Sequence, residues 1–245
     1  MRRRMNGQRG LSLVEATIIL MVLSVLTAVV APSIGDYVDE AKNTKAKEDV
    51  EAIGTAIVRL TRDIGQPCLQ KAAGACSKAN RVDLLFSAGN DPGIDTSAGF
   101  AVTFTFPAGT GQDAGAINWK AIGATAPTET DTPDNQFVTN NPAYAGPSYT
   151  AGGGPKAGLG WRGSYLSGPI GQDPWGNRYE ASTAFLTVAT DASAGSTEGL
   201  LSGGWASDVI VISAGSNGVL QTPYGSAGGN AKGDDVTYVV SGTTR

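Results

Sequence analysis

Histidine is missing from all 245 residues, and that one absence removes most familiar catalytic arrangements. Ser-His-Asp and Cys-His systems cannot be assembled, and neither can an HExxH metal motif. Cysteine is nearly absent too: Cys68 and Cys76 stand in "QPCLQKAAGACSK", a spacing that is not CxxC and has no histidine to complete a zinc set. Charged residues make up 16% of the chain, against about 25% in an ordinary globular protein. The balance is −4, so there is no general basic footprint for nucleic acid. No phosphate loop is present either, because "GTGQDAG" at 109–115 does not fit GxGxxG and nothing fits GxxxxGK[ST]. Asp131 and Asp134 lie near one another in a loop-like stretch without an apolar pocket, and read as solvated surface rather than an acid/base pair. A non-catalytic protein is the expectation.

What is present is concentrated at the start. "RGLSLVEATIILMVLSVLTAVVAPSI", residues 9–34, carries no charge from Ala16 to Ala31. At about 1.5 Å per helical residue those 16 positions span roughly 24 Å of a ~30 Å hydrocarbon core. Extension to Leu11 and Ile34 makes the segment long enough to cross. Arg2, Arg3, Arg4 and Arg9 precede it, and a positive flank stays on the cytoplasmic side, so the rest of the chain should face outward. Three readings compete. A cleaved signal peptide could be cut after Ala31, but Pro32 follows directly and the apolar run is long for an h-region. A plain signal anchor leaves Glu15 in hydrocarbon, where an unpaired carboxylate costs at least about 2.5–3.5 kcal/mol. The third reading cuts after Gly10. That removes the basic leader and frees an α-amino group on Leu11, four residues before Glu15; in a stack of identical chains the amine of one copy can meet the carboxylate of the next.

Gly10, Leu11 and Glu15 resemble, residue by residue, the N-terminal signature of type IV pilins and of the pseudopilins of type II secretion: a basic leader, Gly, a hydrophobic first residue and Glu at the fifth mature position. Pro32, the 22nd mature residue, is found in many members. The resemblance implies cleavage and N-methylation by a prepilin peptidase, with Glu15 and Pro32 serving assembly. It implies a bacterial inner-membrane protein with a periplasmic head. Its partners would be copies of itself, other pseudopilins or pilins, and an inner-membrane assembly platform. Loss of the four leader arginines would take the net charge from −4 to −8. In an oxidising periplasm, where disulfides persist, Cys68 and Cys76 would close a nine-residue loop worth about 2.6 kcal/mol by chain entropy; two unpaired thiols are the alternative.

Beyond Pro32, Val50, Ile53, Ile57, Leu60 and Ile64 recur at helical intervals, with Lys45, Lys47, Glu48, Asp49, Arg59 and Arg62 off that stripe. One helix from about Leu11 to Ile64 is expected, kinked near Pro32, which cannot donate to the Ala28 carbonyl; Gly65 and Pro67 end it. The chain then divides into a leader (1–10), a membrane half (11–35), an amphipathic half (36–65) and a β-rich head (66–245). "FAVTFTF" (100–106) alternates as a strand, and further strand signals lie at 179–181, 185–189, 209–213 and 236–241. Residues 107–160, rich in Gly, Ala, Pro and Thr, read as long loops. The expected fold class is α+β: a long N-terminal helix packed on a small antiparallel sheet with Gly-rich connections.

A second resemblance lies in the C-terminal half. "GPIGQDPWGNRYE", "DVIVISAGSNG" and "GDDVTY" are similar to the major pseudopilin pattern of a D-P-W-G-N-x-Y turn, an S-x-G-x-D-G loop and an acidic pair. Asp173-Pro174 can start a turn, Gly176 and Asn177 tolerate positive φ, and Trp175 and Tyr179 would pack on the helix. In that family the loop holds calcium, which takes 6–8 oxygens; the implied ligands here are Asn217, Asp234 and Asp235. Asn217 stands where the motif has Asp, which removes a charge and should lower affinity. The functional expectation is a pseudopilus subunit of type II secretion. A type IV pilin or minor pilin, or a monomeric membrane-anchored binding module using the 107–160 loops, are the alternatives.

Overall fold

The computed structural model describes residues 11–65, 68–72, 80–97, 104–105, 116–117, 119, 130–144, 149, 159–186, 208–225 and 230–240. The chain divides into two compact units, 1–42 and 43–245.

Helix α1 runs from Leu13 to Ile64. Within the first unit its apolar side chains, from Leu13 to Val38, are exposed. It is long and apolar enough to cross a membrane, and its most apolar window buries nothing inside the protein, which fits single-pass anchoring. The helix continues through Pro32. At the other end Gly65 takes a left-handed φ of 64° and its N–H donates to the Thr61 carbonyl at 3.0 Å, the conformation that glycine adopts without Cβ strain.

In the second unit α1 supplies one wall of the core. Ala46, Val50, Ile53, Ala56, Ile57, Leu60 and Ile64 are buried, so the stripe read from helical periodicity does face inward. Against it lies a five-stranded sheet built from β1 (Leu84–Phe86), β5 (Thr130–Asp131), β6 (Glu180–Ala181), β7 (Ile210–Ser213) and β9 (Val236–Val239), in the order β5-β1-β6-β7-β9. Two short pairs accompany it: β2 (Gly93–Ile94) with β8 (Val219–Leu220), and β3 (Phe104–Thr105) with β4 (Ala116–Ile117). The class is α+β, consistent with the pilin-like fold, but the sheet is mixed rather than antiparallel. Leu84 pairs with Thr130 and Leu85 with Asp131 in parallel, and β2 runs parallel to β8. Parallel neighbours need a long crossover, and the stretches joining β1 to β5 and β2 to β8 are long enough to make one.

Two other expectations change. Residues 185–186, the first two of the strand expected at 185–189, belong to a 3₁₀ turn, Thr183–Leu186, and 187–189 lie outside the described residues. The ladder ends at Ser182, whose hydroxyl accepts from Ile210 N (2.9 Å), and Thr183 then turns inward to donate to the Val82 carbonyl (2.8 Å). The 107–160 stretch is not only loop: it contains β4, β5, helix α2 (Pro133–Phe137) and three fully or nearly buried aromatics, Trp119, Phe137 and Tyr149.

Candidate functional site

The N-terminal end of α1 shows a local arrangement that the apolar pattern hid. Ser12 N donates to Glu15 Oε2 (3.1 Å), and Ser12 Oγ accepts from Val14 N (3.2 Å). Glu15 reaching back to the Ser12 N–H is the Glu half of a capping box, and the Ser12 hydroxyl caps the Val14 N–H, so both satisfy donors at the helix start. Glu15 also lies in the first turn, where the helix dipole favours a negative charge. The signal S-x-x-E was legible in "SLVE". A single chain therefore gives the Glu15 carboxylate one partner, which lessens the penalty that made it look unpaired. Gly10 lies outside the described residues, and Leu11, next to Ser12, is exposed.

The acidic pair lies on the turn before β9. Asp234 Oδ2 accepts from Ser216 Oγ (2.7 Å) and Asn217 N (2.9 Å). Asp235 Oδ2 accepts from Gln221 N (2.9 Å) and Thr222 N (2.6 Å). The two resembling motifs, separated by the 218–233 stretch, are thus brought together. Each carboxylate keeps one buried oxygen, Oδ1, without a hydrogen-bond partner. Asp235 is 7% exposed, and burial, opposed by its hydrogen bonds and reinforced by the Asp234 charge, pushes its pKa above the ordinary carboxylate value. Two unpartnered carboxylate oxygens are the donor type a hard cation takes. Asn217 contributes differently: its Oδ1 accepts from Val219 N (2.6 Å) and its Nδ2 donates to Gln221 Oε1 (3.2 Å), so its side chain shapes the turn. Gln221 also donates to Asp95 Oδ2 (3.0 Å). Among the described residues no group of three or more Asp, Glu, Cys or His side chains is placed to hold a metal. The loop offers the two aspartates, which fit a cation, plus neighbouring carbonyl and hydroxyl oxygens. At Gly215 (φ 64°) a Cβ would collide with the Asp234 carbonyl, so glycine permits this close approach.

The D-P-W-G-N turn is structural. Buried Asp173 accepts from Trp175 N (3.0 Å) and Asn177 N (2.8 Å) through Oδ1 and from Ser213 Oγ (2.7 Å) through Oδ2. Gly176 takes the positive φ, 95°; Asn177 does not. Trp175 packs against the core. The Tyr179 hydroxyl donates to Asp49 Oδ2 on α1 (2.8 Å), and burial raises its pKa above the usual phenol value.

Asp131 is not a solvated carboxylate. It is 5% exposed and accepts from Thr132 N (2.8 Å), Asn135 Nδ2 (2.7 Å), Gln136 Nε2 (2.5 Å) and Ala143 N (3.0 Å). Asp134 holds Ile170 N (2.8 Å). The Asp131 carboxylate fastens α2 through four donors, and Asp134 Oδ1 ties the same helix to Ile170. The Tyr149 hydroxyl continues this network to Gln136 Oε1 and accepts from Gln70 N (2.7 Å). Two residues before Gln70, Cys68 is fully buried and no described cysteine is a free thiol. Cys76 lies outside the described residues.

No family model matches the chain, and no solved structure matches it. It is similar to fimbrial protein Q of Moraxella bovis, 30% identical over 69 residues, which is 28% of this chain and 44% of that protein. The chain thus spans less than half the length of that relative.

Proposed function

We propose that this chain is a non-enzymatic filament subunit of the pseudopilin type. It is cut after Gly10 by a prepilin peptidase, held in a bacterial inner membrane by residues 11–35, and polymerised with its head in the periplasm to drive type II protein secretion. The observation that carries this reading is the N-terminal helix: a wholly exposed apolar half whose first turn holds Glu15, directly after a basic leader ending in glycine. Leu11 and Glu15 of neighbouring copies supply the assembly contact, amine to carboxylate. Likeness to fimbrial protein Q favours the second reading, a type IV pilin, in which the same anchor and helix build a surface fibre. The acidic turn is a calcium site held by Asp234 and Asp235, with a structural role: the ion would neutralise two adjacent carboxylates and satisfy their unpartnered oxygens.

Intact-mass measurement of the membrane-extracted chain tests the first step, with a chain beginning at N-methylated Leu11 expected. A soluble chain beginning at Pro32 overturns the reading. Deletion of the gene then separates the two assemblies, because loss of export of folded proteins supports secretion and loss of surface fibres supports a pilus.

A further inference from the structure

Several basic side chains in the second unit meet nearby acids. Lys45 meets Asp49 (2.6 Å), Arg81 meets Asp83, and Arg178 meets Asp91 (2.8 Å) and Glu180 (2.7 Å). Arg59 has no such partner among the described residues, and Arg62 reaches only Asp63, at 3.8 Å, with 75% of its side chain exposed. These two arginines sit one turn apart and, with Thr55, Val58 and Tyr238, line a cavity where α1 meets β9. Glu48 and Glu51, also exposed, carry the opposite charge with the same three-residue spacing. The two pairs are 11 residues apart, within about 20° of three full helical turns, so they share one face of α1.

We infer that the Arg59–Arg62 cavity receives Glu48 and Glu51 of a second copy of this chain. The copy lies parallel, turned about half a turn around its axis so that the two faces meet, and is displaced along the helix by 11 residues, about 16.5 Å. This rests on the filament reading, which fixes the direction: every copy enters the filament from the same membrane with the same polarity, so an antiparallel pairing of Glu48 with Arg62 is excluded. Exposed ion pairs add little affinity, but they set register and reject like-charged alignments. The pairing therefore selects the axial step between subunits, while the apolar halves supply the cohesion.

Charge exchange in the full-length chain, expressed in its own membrane and read by chemical cross-linking, tests this. Glu48→Arg with Glu51→Arg, and separately Arg59→Glu with Arg62→Glu, should each reduce multimers about tenfold, and the fourfold exchange should recover them to within about twofold of wild type, as a coupled pair requires. All four positions are exposed, so membrane fraction and melting temperature should not move. Normal multimers from either double variant overturn the pairing. So does a fourfold exchange that is inserted and processed yet remains as unassembled as the doubles, which would assign the arginines to an anion on another molecule. A wild-type chain that gives only monomers overturns the filament reading, and the pairing with it.

Discussion

Glu15 caps its own helix, the proposed filament would give it a second role between chains, and Ser12 distinguishes the two. The cap acts within one chain, whereas the proposed pairing with the Leu11 amine would act between chains. Ser12→Ala removes the hydroxyl cap, worth about 0.5–2 kcal/mol of local helix stability, and should leave assembly nearly intact. Glu15→Leu keeps helix propensity and should insert at least as well, yet yield processed, membrane-bound chains without cross-linked multimers. Normal multimers from a cleaved Glu15→Leu chain would remove the carboxylate from assembly. Asp235 makes a second prediction at this scale. Because its folded-state pKa is raised, its protonated form favours folding: that contribution is present below the ordinary value and is lost as pH rises through the folded one. Without calcium, the melting-temperature difference between Asp235→Asn and wild type should therefore shift in favour of the variant as pH rises through the acidic range. With calcium at pH 7 the wild type should gain stability by RT ln(1 + [L]/Kd), and Asp235→Asn or Asp234→Ala should lose the gain. Equal melting in calcium and in chelator would show the turn to be metal-free.

Among the elements, α1 was the most legible, because a 3.6-residue period from Val50 to Ile64 leaves little choice of which side is buried. Leu60 is fully buried, so Leu60→Ala should cost about 2–5 kcal/mol, while exposed Lys47→Ala should stay within about 0.5 kcal/mol; chemical denaturation measures both. The short elements were not legible for a physical reason. β5 and α2 carry little apolar periodicity and owe their places to the Asp131 carboxylate, which gathers two side-chain amides and two backbone amides. Charge alone suggested a solvated Asp131; only the fold shows its four donors. The candidate site divides in the same way. Asp234 and Asp235 were readable as a motif, whereas their contacts with Ser216, Gln221 and Thr222 depend on how the 218–233 stretch returns. Asp131→Ala should release α2 and leave buried amides unpartnered, lowering the melting temperature more than Asp91→Ala at the exposed Arg178 pair.

At the scale of the whole molecule, a 52-residue helix serves two solvents. Its first half is exposed and apolar, and its last turns are the wall of a buried core. Extraction without detergent should aggregate the full chain through the first half while leaving the core of the second unit packed. The proposed Cys68–Cys76 bridge belongs at this scale too, because Cys68 is fully buried two residues before Gln70, which bridges to Arg81. Non-reducing peptide mapping of the exported protein should recover the two cysteines in one linked peptide pair. Alkylation of both thiols without prior reduction would exclude the bridge.

The parallel pairing of β1 with β5 has a consequence in time. Leu84 must wait for Thr130, 46 residues later in the chain, before its outer edge is satisfied, and a contact of such sequence separation forms late because loop closure opposes it. Its ladder has two residue pairs, whereas β7 and β9 share four. Amide hydrogens of β5 should accordingly exchange with solvent well before those of β7. The segment would join the native structure last and leave it first.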